Sequence, residues 1–168
     1  MSPLPGLPSG TVFLMDADPL WPCLFEAEAR RIRTALGPAI LAIEHYGSTS
    51  VPGLKAKPVI DLLIGVRKLE DALDQIEAME SLGYEFAPHA GVAGHHVFGL
   101  GRDRTHLAHF VEYEGERWQV CLAFRDRLRS DPEARQTYQA LKEELAARYP
   151  KDRAAYTRGK AALIQGLV

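Results

Sequence analysis

Apolar positions along the chain fall into two periods, one helical and one strand-like. Leu20, Leu24, Phe25, Ile32 and Leu36 recur at helical spacing, which predicts a helix with Asp18 as N-cap, Pro19 at its first position and Gly37 just past its end. Pro38–Tyr46 is β-rich and is broken by Gly47-Ser48. Val59–Val66 is apolar on both of its faces, the pattern of an interior strand covered on two sides. Leu69, Leu73, Ile76, Met79 and Leu82 predict an amphipathic helix closed by Gly83. Short strands are expected at Thr11–Met15, Tyr84–Ala87, Val97–Leu100 and Leu107–Tyr113. From Glu116 the pattern is helical to Ser130. Asp131-Pro132 opens a second helix that Pro150 stops, and Asp152 caps a last one. The expectation is an α+β fold: a mixed β-sheet with flanking helices and a helical C-terminal third. Residues 1–10, with three prolines and two glycines, predict a loose N-terminal arm ahead of a single domain over 11–168.

Composition narrows the classes. Of 168 residues, 46% are hydrophobic and 25% charged, with a net charge of −2, so disorder and bulk nucleic-acid binding are not expected. The two cysteines, Cys23 and Cys121, make neither a disulfide framework nor a CxxC metal pair. No apolar run is long enough to span a membrane and the N-terminus lacks the pattern of a signal peptide, which predicts a cytoplasmic protein.

The chemistry concentrates in HYGSTSVPGLKAKPVIDLLIGV, residues His45 to Val66. A strand ends at Gly47-Ser48. Ser48, Thr49 and Ser50 then offer hydroxyls and backbone N–H groups to a phosphate, and Lys55 and Lys57 follow with positive charge. Asp61 interrupts an otherwise apolar strand, where a carboxylate costs several kcal/mol unless it is paired or holds a cation. A purely structural alternative makes Ser48 a turn cap and Asp61 a hydrogen-bond acceptor.

Gly-Ser followed, after a spacer, by a carboxylate on the next strand resembles the nucleotidyltransferase superfamily. Leu63 stands where that pattern places a second carboxylate. The segment resembles the GrpB family more closely, through His45, Gly47, Ser48, Thr49, Val51, Pro52, Gly53, Leu54, Lys57, Pro58, Ile60 and Asp61. The likeness continues in PLWPCLFEAEARRI, LAFRDRLRSDPEA and YQALKEELAARYPKDRAAYTRGKAALI, nearly the whole chain. The resemblance implies a nucleotidyltransferase-like fold, found alone or fused to a kinase of coenzyme A synthesis, with a single Asp on the central strand. It also implies a histidine-bearing strand, here Thr105-His106-Leu107-Ala108-His109.

Strand parity puts His109 on one face with Leu107, and His106 and Glu112 on the other. His109 is therefore the stronger candidate, as metal ligand or base. Asp61, His109 and His45 form a candidate ligand set for magnesium, manganese or zinc. In the last third Arg125 and Arg129, Tyr138 and Lys142, and Tyr156 and Lys160 each stand four apart, a spacing at which two side chains on one helix face can grip a phosphate together. The candidate catalytic residues are thus Asp61 and His109. The candidate substrate-binding residues are Gly47, Ser48, Thr49, Ser50, Lys57, Arg125, Arg129, Lys142, Tyr156 and Lys160. Two functions remain open at this stage. One is a metal-dependent transferase acting on a nucleotide or other phosphorylated small molecule. The other is a non-catalytic nucleotide-binding or protein-interaction module of the same fold, favoured by Leu63.

Overall fold

A computed structural model describes residues 4, 6–90 and 92–168. Its centre is a five-stranded sheet in the order β1-β2-β5-β4-β3. The strands are β1 (Ala42–Tyr46), β2 (Ile60–Val66), β3 (Tyr84–Phe86), β4 (His96–Leu100) and β5 (His106–Glu112). Only β2 and β5 run parallel; the other neighbours are antiparallel, so the sheet is mixed as expected. The helices are α1 (Trp21–Leu36), α2 (Ile76–Ser81), α3 (Glu116–Ser130), α4 (Pro132–Arg148) and α5 (Arg153–Leu167).

The two-faced apolarity of β2 explains the layers. Ile60, Leu62, Ile64 and Val66 point to one face and join Phe25, Ile32, Phe98 and Phe110 in the main core, under α1 and α2. Each such side chain contributes roughly 1.5–3 kcal/mol when fully buried. Leu63 points to the other face, where Val111 and Trp118 cover it from β5 and α3. Gly65 shares that face, and a Cβ there would press on Tyr113 and Trp118, so the residue is glycine for close packing. The helical third closes over this second face. Val51 and Leu54 of the loop after β1 pack with Leu128, Ala134 and Tyr138, while Val12 packs with Leu145 and Tyr156.

Several boundaries differ from expectation for identifiable reasons. Of the expected arm, residues 1–3 and 5 lie outside the described residues. Leu7, however, is fully buried and its N–H donates to Arg104 O at 3.1 Å, so that part of the arm is tied down. Thr11–Met15 is not a strand. Val12 N–H donates to Pro150 O instead, and only Met15 pairs, with Ala56. The first helix begins at Trp21 rather than Pro19, because Asp18 Oδ1 accepts from Leu20 N–H at 2.8 Å and first closes a turn. Residues Leu69–Gln75 wind as 3-10 helix before α2, with Asp71 Oδ2 accepting from Lys68 N–H at 3.0 Å. The caps of the last two helices match: Asp131 accepts from Glu133 and Ala134 N–H, and Asp152 from Ala155 N–H.

Gly47 joins β1 to the Ser48–Ser50 turn with φ 73° and ψ −178°, a conformation open almost only to glycine. A Cβ there would overlap Asp61 Oδ2, whereas Gly53, with φ 77°, has open space around it. Gly47→Ala is expected to destabilise the fold by about 2 kcal/mol or more, from strain of order 1–3 kcal/mol plus the clash. Gly53→Ala is expected to cost about 1 kcal/mol from backbone alone. Urea unfolding measures both, and equal costs would contradict the close approach of Gly47 to Asp61.

Candidate functional site

Asp61 lies opposite Tyr46 of β1 and Leu107 of β5. The parallel register places His109 one pair further along on the same face, and its Nε2 stands 3.4 Å from Asp61 Oδ1. Burial pushes the Asp61 carboxyl up, but His109, Lys57 and Arg153 outweigh it and hold the group below its ordinary value, so it is ionised. A quarter of its side chain (25%) remains exposed, leaving room for a ligand. The His109 ring is edge-on to Tyr46, with centroids 5.2 Å apart, and to His95, at 5.4 Å. Neither His109 nitrogen makes a hydrogen bond, nor does His95 Nδ1. Burial, then His109 and Arg117, lowers the His95 imidazole to about 3, so it is neutral.

Beside Asp61 the Ser48–Ser50 turn is locked from within. Ser50 Oγ donates to Gly47 O at 2.6 Å, and Thr49 Oγ1 bonds His45 Nε2 at 2.9 Å. Thr49 and Ser50 are buried. Ser48 is not, and it meets the Tyr138 hydroxyl from α4. Burial pushes that phenol up to about 12, partly offset by Ser48.

The third component is a set of lysines. Lys142 is 1% exposed on α4, its Nζ donating to Lys55 O and lying 5.1 Å from the Tyr138 ring centroid. Lys57 and Lys160 sit over the Tyr156 ring at 5.3 and 4.5 Å. Burial first, then Lys160 and Lys57, lowers Lys142 to about 6. Burial, then Lys160 and Arg153, lowers Lys57 to about 7. Burial also lowers Lys160 to about 8, Asp61 opposing and Arg153 reinforcing the shift. The Tyr156 hydroxyl is buried without a partner. These three lysines and Arg153 therefore gather around Asp61, with Glu143 as a second carboxylate near Lys142 and the Tyr138 and Tyr156 rings between them.

Not every expected residue joins this cluster. His45 pairs with Leu62, so it faces the opposite side of the sheet from Asp61. It stacks on Phe25 at 4.6 Å, bonds Thr49, and burial lowers it to about 4. The structure thus corrects the ligand set Asp61, His109 and His45: His45 braces the turn from behind. Among the described residues no group of three His, Cys, Asp or Glu side chains is assembled to hold a metal. Arg125 does point toward β1, but its Nη1 donates to Glu44 Oε2 at 2.8 Å and His45 O at 3.0 Å, and its Nε to Asp126. Arg129 Nε donates to Ser50 O at 3.0 Å. Arg125 is thus held by protein partners, whereas Arg129 gives its Nε to the turn and keeps 40% of its side chain exposed. Three residues of the cleft were not among the site candidates. Tyr138 appeared only as the partner of Lys142. Arg153 carried a usable signal, since it stands one turn before Tyr156 on the same helix. His95 carried none, because it sits in a loop whose course no periodicity reveals.

With the geometry in place, comparison with known proteins gives a consistent picture. The model of the GrpB protein family matches residues 11–168. The glutamate-rich protein GrpB of Alkalihalophilus pseudofirmus is 33% identical over 169 residues, covering 97% of each chain. A dephospho-CoA kinase of Mycolicibacterium paratuberculosis is 31% identical over 175 residues, which are 89% of this chain and 43% of that one. The crystal structure of conserved protein GrpB from Enterococcus faecalis superimposes with a TM-score of 0.83 at 34% identity, over 92% of this chain and 94% of that one. The Cid1 poly(U) polymerase shares the fold at a TM-score of 0.55 and 17% identity, over 87% of this chain and 49% of that one. No helix among the described residues is long and apolar enough to cross a membrane. A sheet that sets one carboxylate behind a Gly-Ser turn, a helical third that brings lysines over it, and a match running from residue 11 to the last residue lead to one conclusion: the chain belongs to the GrpB family.

Proposed function

We propose that the chain binds a phosphorylated small molecule, a nucleotide first among the candidates, in the cleft between Asp61 and the last helices. The observation that carries this reading is the lysine set. Burial lowers all three, Lys160 lowers Lys57 and Lys142 further and Lys57 lowers Lys142, while Asp61 is the carboxylate that opposes the shift in each and Glu143 opposes it in Lys142 alone. Buried cations without matching anions are costly, and a phosphate supplies the missing charge together with acceptors for the lysine N–H groups. Ser48, Tyr138 and Tyr156 add hydroxyls to the same cleft. The fold neighbour Cid1 is a poly(U) polymerase whose structure is described with magnesium and 3'-dATP bound, which supports taking a nucleotide as the first probe.

The transferase form of the reading adds a divalent metal beside Asp61. Asp61 and His109 are the donors kept together on this face, and a metal held there would polarise a phosphate oxygen. The protein's own groups would hold the phosphates through the lysines and position the reacting end over Asp61. One observation favours binding without turnover: the position of the usual second carboxylate is Leu63, fully buried against Val111 and Trp118. Release of pyrophosphate from a nucleoside triphosphate, with Asp61→Asn as control, separates the two forms.

Calorimetric titration with a nucleoside triphosphate tests the shared claim. Lys142→Met keeps the stem and removes the charge, and is expected to weaken binding by about 1.5–3 kcal/mol, roughly ten-fold to over a hundred-fold. Affinity in the wild type is expected to fall as salt rises. Unchanged affinity in Lys142→Met would remove the lysines from the site.

The free protein should also show the cost of the cluster in its pH dependence. The folded pKa values, about 6, 7 and 8, lie below the unfolded lysine value of 10.5, so the unfolded chain binds more protons between them. The contribution of these groups to stability is full above the unfolded value and is lost as pH falls through 8 to 6. Urea midpoints measured along this range should fall more steeply in the wild type than in Lys142→Met. Saturating sulfate, whose charge is constant over the range, should flatten the wild-type curve. Parallel curves for wild type and variant would contradict the cluster.

A further inference from the structure

We propose that Lys57 is a carbamylation site: its ε-amine adds carbon dioxide, and the carbamate so formed is held by Lys160 and Arg153. The reaction joins the Nζ lone pair to the carbon of carbon dioxide. One carbon–oxygen π bond opens to leave a carboxylate-like anion, and one proton leaves Nζ for solvent. Nothing is oxidised or reduced. Two conditions decide whether a lysine does this: an uncharged amine that carbon dioxide reaches, and fixed cations that keep the anion once it forms.

Lys57 meets both. It sits in the loop before β2, half-buried, with its Nζ 5.3 Å from the centroid of the Tyr156 ring. Lys160 Nζ shares that ring at 4.5 Å, so an α5 cation stands beside the Lys57 amine. Among the described residues Lys57 Nζ makes no hydrogen bond or ion pair, yet it is not one of the buried polar atoms left without a partner, so its tip is open to solvent. Lys142 is the opposite case, 1% exposed and closed off by its bond to Lys55 O. The charged groups that face Lys57 are Asp61 from β2, Lys142 from α4, and Lys160 and Arg153 from α5. Burial first, then Lys160 and Arg153, lowers the amine to about 7 against the opposing pull of Asp61. Just above neutral pH such an amine is mostly uncharged, whereas an ordinary lysine is uncharged in about one molecule in a thousand. The Tyr156 hydroxyl is also buried without a partner, and orphaned polar atoms of this kind call for a ligand, a water or an ion.

The carbamate answers the charge excess of this cluster. It sets an anion with two acceptor oxygens next to Lys160 and Arg153, where the free protein offers them Asp61. A carbamate also takes the place of an incoming phosphate, so carbon dioxide and phosphate compete for the same cations. This competition rests on the phosphate-binding reading, whereas the carbamate does not.

Chemical trapping on the full chain tests this. The protein is equilibrated with isotope-labelled bicarbonate just above neutral pH, carbamates are alkylated with a trialkyloxonium salt, and the peptides are read by mass spectrometry. A peptide with a free α-amine in the same sample is the positive control for trapping. Label is expected on Lys57 and not on the exposed Lys68 and Lys151. Lys57→Met should remove it. Lys160→Met and Arg153→Met should each lower its occupancy at least about five-fold, since each removes a counter-ion of the carbamate and a cation that keeps the amine uncharged. Lys68→Met should leave it in place. Far-UV circular dichroism checks that every variant is folded, and the wild-type pattern of label stands without any of them. An unlabelled Lys57 beside a labelled control peptide, equal label on Lys57, Lys68 and Lys151, or label indifferent to both Lys160→Met and Arg153→Met would overturn the site. Pyrophosphate is expected to suppress the label. Label on Lys57 that pyrophosphate leaves unchanged upholds the carbamate and counts against the phosphate reading. Calorimetric binding of pyrophosphate to a chain that takes no label counts against the carbamate alone.

Discussion

An ionised carboxylate in the middle of an apolar strand has to be balanced, and much of this molecule is arranged around that requirement. Asp61 interrupts β2 between Ile60 and Leu62, both fully buried. Left alone it would cost several kcal/mol. His109 reaches it from the neighbouring parallel strand, and Lys57 and Arg153 hold it ionised from the loop before β2 and from the start of α5. The backbone yields to it as well, since only a glycine at position 47 leaves space for Oδ2. The helical third is then more than a cover. Its docking on Val51 and Leu54 delivers Lys142 and Lys160 to the carboxylate.

The compensation overshoots. Four cations meet Asp61, with Glu143 reaching Lys142 alone, and burial first, then neighbouring cations, pushes the lysines down into the range of about 6 to 8. A structure selected for stability alone would remove such a cluster or pair it. Perturbed ionisable groups gathered in a cleft are the usual mark of a binding site, because strain in the free state is relieved when the ligand arrives. By contrast Arg125 is paired with Glu44, Asp126 and the His45 carbonyl, and Arg129 Nε donates to the Ser50 carbonyl. They fix the turn that presents Ser48. The two kinds of cation look alike in sequence and differ in their partners: Arg125 meets two carboxylates, whereas Lys142 donates to a main-chain carbonyl.

Local pattern carried much of the fold. The caps Asp131 and Asp152, the two-faced strand around Asp61 and the parity that sets His109 apart from His106 all follow from period, cap chemistry and alternation. Tyr138, Lys142, Tyr156 and Lys160 were visible through helical spacing, and the fold brings both pairs to one cleft. What local pattern does not hold is register. His45 lies beside Tyr46 in sequence, but the pairing of Tyr46 with Asp61 turns His45 to the far face. The tie between Val12 and Pro150 joins segments distant in sequence, and it replaced an expected strand. His95 reaches His109 from a loop, where neither spacing nor hydrophobicity gives direction.

The central claim is that the Lys142 ammonium is kept short of charge until an anion enters the cleft. Lysine-selective NMR of the side-chain Nζ and Cε, followed against pH in the free protein and with saturating pyrophosphate, reads this directly. Lys142 is predicted to titrate near 6 in the free protein and to rise by more than a unit when pyrophosphate is bound. A value near the ordinary 10.5 in the free protein, or one that pyrophosphate leaves unchanged, would contradict the account.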